Sequence, residues 1–442
     1  MADILKKCFG LDKAQHSVRT EIVAGITTFL AMAYILAVNP GIFSALEGQG
    51  MASSAVFTGS ALSAICATLL MAFYAKKPFA LAPGMGLNAF FVYTVCLTMG
   101  HSWQFALTAV LIEGLIFILL TVTKVRDMIL DAIPLSMKNA IGAGIGLFIA
   151  FIGLQNGGVI TGNEATLVSL GDICHGAGLL TVIGLVISGV LVVLQVPGGI
   201  LIGILATAII GMFVKDPATG VALTSFSGVV STPPSVSPIF MKFEWTNVLS
   251  LDMLAVVFTF IFVDLFDTMG TVIGVSQKAG MIDENGKIDN SEKILLTDAI
   301  GTVFSAMFGT NTTTTYVESS AGVSAGGRTG LTAFTTAACF ALALFFAPIF
   351  LGIPSSATAP CLILVGMMMI APVTKIDWSD YHVALPAFIT ILIMPVAYSI
   401  SDGILIGTIS YVVINALTGK HKDISPTMWI LAAVVIARYI FI

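Results

Sequence analysis

The sequence predicts an all-α, polytopic membrane protein of about fourteen transmembrane segments. The segments form a 7+7 inverted repeat in which two, the third and the tenth, are broken. Three observations predict this. Hydrophobic residues make up 57% of the 442-residue chain and charged residues 10%, with a mean hydropathy of +1.01, outside the range of soluble domains. A fourteen-crossing reading places nearly all basic residues on one side of the bilayer. The two polar-interrupted segments fall at matching places in the two halves.

In chain order, the N-terminal stretch MADILKKCFGLDKAQHSVRTE is charged and has no apolar run ahead of a small-residue cleavage site, so no cleavable signal is expected. Apolar runs near the length of a span occupy residues 21–40, 53–74, 102–123, 137–155, 177–196, 199–214, 250–275, 293–308, 331–351, 358–373, 382–398 and 400–417. The first is expected to end at Asn39-Pro40, where proline favours a turn. Residues 83–99 and 311–327 are the broken segments, and 427–442 is either a fifteenth crossing or a helix along the interface. With the N-terminus cytoplasmic, Lys6, Lys7, Lys13, Arg19, Lys76, Lys77, Lys124, Arg126, Lys138, Lys278, Lys287, Lys293, Arg328, Lys375, Lys420 and Lys422 lie inside. Only Lys215 and Lys242 fall outside, with Arg438 in the undecided C-terminal segment. Dropping either broken segment would invert every loop after it.

The longest loop, 215–249, contains Pro233, Pro234 and Pro238 and so is expected to be non-helical. It separates a first seven-crossing repeat (1–214) from a second (250–420), followed by the C-terminal apolar segment (421–442). The seventh crossings resemble each other, GGILIGILATAIIGM against DGILIGTISYVVINAL. An odd number of crossings per half makes the repeats antiparallel, and paired broken segments in inverted repeats point to a binding site near the midplane.

The candidate residues follow from the cost of polarity at depth. The stretch FGTNTTTTYVESSAGVSAGGRTG (308–330) sets Glu318 among hydroxyls and glycines, and a carboxylate in the bilayer requires a cavity or partner. The matching segment carries Asn88, whose amide both donates and accepts. Asp264 and Asp267 stand three apart in LDMLAVVFTFIFVDLFDTMGTVIGV, on one helix face, whereas Asp252 suits a helix start. Tyr316 and Phe90 are candidates to stack on a planar ligand. Glycines 84, 86, 322, 326 and 327 permit close backbone approach or tight helix packing. Glu113 is buried by the same reasoning but has no link to the site, and Arg328 is expected to snorkel at the cytoplasmic mouth.

Other chemistries find little support. The six cysteines and five histidines are scattered, so no metal site and no catalytic residue is expected. Neither GVSAGGRTG nor IGAGIG is a phosphate loop, since each lacks the strand before it and the GK[ST]. A net charge of −5 with no basic tract argues against nucleic acid.

The motifs MGLNAFF, VDLFDTMGTVIGVSQKAG, YVESSAGVSAGGRTGLTA and RTEIVAGITTFLAMAYILAVNP resemble those of the AzgA-like purine permeases of the nucleobase–cation symporter superfamily, over essentially the whole chain. The resemblance implies a core domain (about 20–123 and 250–351) and a gate domain (about 137–214 and 358–417), elevator-type movement and often a homodimer. It implies short antiparallel strands in the third and tenth crossings. It assigns the family's acidic and amide positions to Asp264, Asp267, Glu318 and Asn88.

The expectation is therefore a secondary active transporter of the cell membrane, importing adenine, guanine or hypoxanthine with a co-transported proton and no cofactor. Sodium is the alternative coupling ion. Asp264, and less so Asp267, is the candidate proton carrier, because neutralising a carboxylate removes the cost of a charge at depth. The rivals are an anion or a uracil/xanthine transporter of the same fold, and a membrane enzyme or channel.

Overall fold

In the computed structural model of the chain, each of the fourteen stretches read as crossings carries helix. The structure describes residues 2–12, 16–123, 134–281, 288, 290–426, 428, 429, 432, 433 and 436. Lys13, Lys124, Arg126, Lys287, Arg438 and most of 427–442 lie outside the described residues. Seven described helices are long and apolar enough to cross a membrane: Val18–Gln49, Ser53–Ala75, Trp103–Val122, Leu135–Asn156, Gly176–Val193, Gly330–Leu351 and Ser355–Lys375. The protein is a mostly helical, multi-pass membrane protein.

The chain divides into two compact units, residues 1–118 with 153–362 and residues 119–152 with 363–442. In the first unit, α1 (Ala2–Phe9) precedes α2 (Val18–Met32), α3 (Ile35–Phe43) and α4 (Ser53–Leu70). Strand β1 (Leu81–Pro83) leads into α5 (Met85–Ala89), which continues as a wider π-helical stretch, Phe90–Thr98. Helices α6 (Trp103–Val122) and α7 (Leu135–Asn156) each run from one unit's residues into the other's. A hairpin of β2 (Ile160–Asn163) and β3 (Leu167–Leu170) precedes α8 (Gly176–Val193) and α9 (Gly199–Gly211). Helix α10 (Leu251–Ala279), α11 (Ser291–Met307), β4 (Thr313–Thr315), α12 (Ser319–Ser324), α13 (Gly330–Ala343), α14 (Ala347–Leu351) and α15 (Ser355–Met369) follow. Helices α3, α4, α10 and α11 pack against the strand pair. The second unit is built on the antiparallel pair α16 (Tyr381–Val396) and α17 (Ile400–Leu417).

Apolar surface alone cannot hold these helices together, because lipid is as apolar as leucine. Close packing of small residues and hydrogen bonds between helices do so instead. Within the second unit, a Cβ added at Gly146 would sit 2.6 Å from the Gly366 carbonyl oxygen, so the two backbones touch. The IGAGIG stretch is thus a helix-packing face in the middle of α7. In the first unit, Ala67, Met71, Phe79, Leu81, Val272, Val275, Ile294 and Val323 form a buried cluster behind β1.

Three expectations need correction. Pro40 does not end the first helix but lies inside α3, and the break comes earlier, at Ala33-Tyr34. Asn39, fully buried, donates to Ser60 Oγ at 2.5 Å, and a proline is tolerated in a membrane helix where neighbours satisfy the freed groups. Arg328 does not snorkel: its Nη1 donates to the carbonyls of Val323 (2.6 Å) and Gly327 (2.7 Å), capping the end of α12. The exposed β2–β3 hairpin has no counterpart in the sequence reading. Loop 215–249 is irregular, as its prolines require, with one bridge between Lys215 and Ala222.

Candidate functional site

The two broken segments meet as a strand pair. Leu81, Ala82 and Pro83 face Thr315, Thr314 and Thr313 in antiparallel register. The ladder continues at both ends, with Gly84 N–H donating to the Thr312 carbonyl and Tyr316 N–H to the Ala80 carbonyl, each at 2.9 Å. Non-helical backbone at this depth must have every polar group satisfied, and hydroxyls complete the task. Thr68 Oγ1 pairs with Leu81 N and O at 3.0 and 3.1 Å. Ala80 N–H donates to Ser319 Oγ at 3.0 Å, and Asn311 Nδ2 to the Gly84 carbonyl at 2.9 Å. The threonine run therefore serves both strand geometry, which β-branched residues favour, and backbone satisfaction.

A short helix leaves each strand. Glu318 is the residue before α12, and the Tyr34 hydroxyl, fully buried at the break between α2 and α3, donates to its Oε1. Close approach of α2 and α12 allows this: a Cβ at Gly322 would lie 2.0 Å from Thr28 Oγ1 and 2.6 Å from the Ala24 carbonyl oxygen. Tyr316, 5% exposed, donates to the Pro83 carbonyl at 2.5 Å, which fixes its ring across the strand pair. Asp267 bonds to Thr314 and lies within electrostatic reach of Glu318 and Asp298.

Asp264 is fully buried near the middle of α10. Thr268, one turn on, places its Oγ1 2.9 Å from Asp264 Oδ1 and 2.8 Å from Asp298 Oδ2. Asp298, fully buried on α11, also accepts from Thr315 Oγ1 on β4 at 3.1 Å. Sequence reasoning passed over Asp298, which sits in a run that reads as apolar. A single acid within 293–308 was the available signal. Asp264 and Asp267 share α10 and both lie near Asp298 on α11; Asp264 is linked to it through Thr268, whereas Asp267 also bonds to Thr314 on β4 and faces Glu318.

Asn88, on α5, is fully buried, and neither its Oδ1 nor its Nδ2 has a hydrogen-bond partner among the described residues. Such an amide costs free energy unless something else satisfies it. Phe90, two residues on, packs edge-to-face on Phe260 with ring centroids 5.0 Å apart. The structure thus places Glu318, Asp267 and Tyr316 beside β4 and links Asp264 to it through Thr268 and Asp298, while Asn88 and Phe90 lie on the helical stretch leaving β1. Glu113, left unconnected by the sequence, accepts from Thr312 Oγ1 at 2.5 Å and so belongs to the support of the broken segment. Among the described residues, no group of three or more His, Cys, Asp or Glu is arranged to hold a metal ion.

The arrangement offers a buried amide and several carboxylates at the ends of a strand pair, suited to a polar, planar molecule with N–H donors and lone-pair acceptors. The chain is 45% identical to the guanine/hypoxanthine permease PbuG of Bacillus subtilis (strain 168), over 99% of this chain and 100% of that one. It is 40% identical to the adenine permease AdeQ of Escherichia coli (strain K12), over 99% of this chain and 96% of that one. Among solved structures, the transmembrane domain of a cyanobacterial bicarbonate transporter, BicA, superposes with a TM-score of 0.63 at 15% identity, covering 87% of this chain and 97% of that one, which shows a shared fold alone. These relatives are permeases and not enzymes. With a family profile matching residues 19–406 and relatives aligned almost end to end, the chain belongs to the Permease family (Xan_ur_permease).

Proposed function

We propose that the chain imports purine nucleobases (adenine, guanine or hypoxanthine) across the cell membrane by proton symport, with its N-terminus in the cytoplasm. The observation that carries this reading is the Asn88 amide, buried with both polar atoms unpartnered among the described residues. Its complement is Glu318, across the strand pair on the other broken segment. A purine presents N–H donors and ring-nitrogen acceptors in one plane. Glu318 accepts two of the N–H groups, Tyr34 holds the carboxylate in position, and Asn88 donates and accepts along another edge. Asp264 completes the polar contacts, and Tyr316 and Phe90 bound the ring faces. The names of PbuG and AdeQ support the purine class. Acids rather than cations at the site disfavour the anion transport of the fold neighbour.

In this reading the fourteen segments form two inverted repeats, and residues 20–123 with 250–351 move against 137–214 with 358–417 as an elevator. A proton on the acid cluster removes a buried charge and so lowers the cost of the movement. The test is uptake of labelled adenine, guanine, hypoxanthine, uracil and bicarbonate into purine-transport-deficient cells, with and without a protonophore. Accumulation of a purine that the protonophore abolishes is expected, as is its loss in Glu318→Gln at normal membrane expression. Purine uptake that persists in Glu318→Gln places the binding site elsewhere. Bicarbonate uptake without purine uptake overturns the substrate class, and sodium-dependent uptake insensitive to protonophore overturns proton coupling.

A further inference from the structure

The contacts of Thr268 carry a constraint beyond the proposed transport. Its Oγ1 lies 2.9 Å from Asp264 Oδ1 and 2.8 Å from Asp298 Oδ2, and all three residues are fully buried. A hydroxyl has one hydrogen and accepts with its lone pairs. Its one hydrogen makes a full bond to one carboxylate only, so the contact with the other is a full hydrogen bond only if that group donates to Oγ1. An ionised carboxylate cannot donate. We propose that Asp264 and Asp298 hold one proton between them through Thr268, which makes Asp298 and Thr268 part of the proton-coupling machinery.

The proton has a defined path. In one arrangement the Asp298 carboxyl O–H donates to Thr268 Oγ1 while the Thr268 O–H donates to Asp264 Oδ1. Concerted transfer of both protons leaves Thr268 neutral, Asp298 ionised and Asp264 protonated, with the total charge unchanged. Thr315 Oγ1 donates to Asp298 Oδ1 at 3.1 Å, so the acid pair is tied to β4, the strand that precedes Glu318. Two further acids lie near Asp298. Glu113 on α6 lies within electrostatic reach of Asp298, as does Asp267 on α10, which in turn faces Glu318.

The shared proton deepens the proposed symport, but its test does not require it. Infrared spectra of the purified, lipid-reconstituted protein at neutral pH report hydrogen-bonded carboxylic acids, and wild type minus variant isolates one of them. The expected result is loss of one carboxylic-acid band in Asp298→Asn and in Asp264→Asn, a changed band frequency in Thr268→Val, and the wild-type band in Thr268→Ser. The amide introduced by Asp298→Asn can mimic the protonated acid, its N–H donating to Thr268 and its oxygen accepting from Thr315, so this variant should fold. Thr268→Val keeps both acids and provides the second arm. Equal carboxylic-acid absorption in wild type and Asp298→Asn, or a Thr268→Val spectrum identical to wild type, overturns the shared proton. Because no substrate is present, failure of purine uptake would leave the infrared result standing. In proteoliposomes, proton flux per purine should fall to near zero in Asp298→Asn, and an unchanged ratio would overturn the coupling role.

Discussion

Replacing Asn88 with leucine separates a residue kept for a ligand from one kept for the fold. Leucine has nearly the same volume, so packing on α5 is preserved. In the protein without substrate, the change removes an amide that has no partner among the described residues for either polar atom. The cost of such a group is about 1–3 kcal/mol on mutational scales, so unfolding temperature should stay level or rise. Binding should suffer in the opposite sense. Loss of hydrogen bonds to a buried base costs about 1–3 kcal/mol, roughly fivefold to 150-fold in Kd. The assay is thermal unfolding of detergent-purified protein with adenine, guanine or hypoxanthine titrated in, since a ligand that binds only the folded state raises its stability. Wild type should shift upward with one of the purines, and Asn88→Leu should unfold at or above the wild-type ligand-free midpoint and show a much smaller shift at the same purine concentration. A variant that is strongly destabilised yet retains the shift would show the amide to be structural and refute the reasoning.

Gly322→Ala should destabilise by about 1–3 kcal/mol or more through overpacking, because the new methyl lies 2.6 Å from the Ala24 carbonyl oxygen, which cannot rotate away as Thr28 can. Thermal unfolding checks this, and Thr28→Ser should not rescue it. Glu113→Leu strands the Thr312 hydroxyl and should cost about 1–3 kcal/mol, whereas Glu113→Leu with Thr312→Val removes both partners and should recover most of the loss; a double-mutant cycle measures the coupling. In the second unit, hydrogen bonds from the His382 side chain and backbone, with Lys420 nearby, hold the exposed Asp380 carboxyl below the usual carboxylate range. A lowered folded-state value stabilises above the unfolded value of about 3.9 and is lost as pH falls through the folded one. Asp380→Asn should therefore unfold below wild type at pH 7, and the gap should close below about pH 4.

Much of the site was legible because polarity is costly in lipid and therefore conspicuous in sequence. Glu318, Asn88 and Asp264 stand out against apolar runs, and the two broken segments announce themselves by glycine, threonine and proline. Their antiparallel pairing is observed between Leu81–Pro83 and Thr313–Thr315. What stayed hidden is contact between distant positions. Tyr34 and Glu318 are 284 residues apart, and Glu113 and Thr312 are 199 apart, so neither partner suggests the other. Asp298 read as a stray acid until Thr268 and Thr315 closed around it. Pro40 misled because local propensity favours a turn, whereas its surroundings in the fold let α3 run through it. Arg328 misled because its charge suggested water, while uncapped carbonyls at the end of α12 lay closer.

The most direct test of purine binding at the strand pair is a cryo-electron microscopy structure of the protein with a bound purine. Density for the base is expected between the ends of β1 and β4, with its edges on the Glu318 carboxylate and the Asn88 amide. Density instead in the pocket of about 240 Å³ lined by Gly41, Ser44, Ala45, Tyr93, Asn156 and Ser355, with Asn88 and Glu318 untouched, would contradict it.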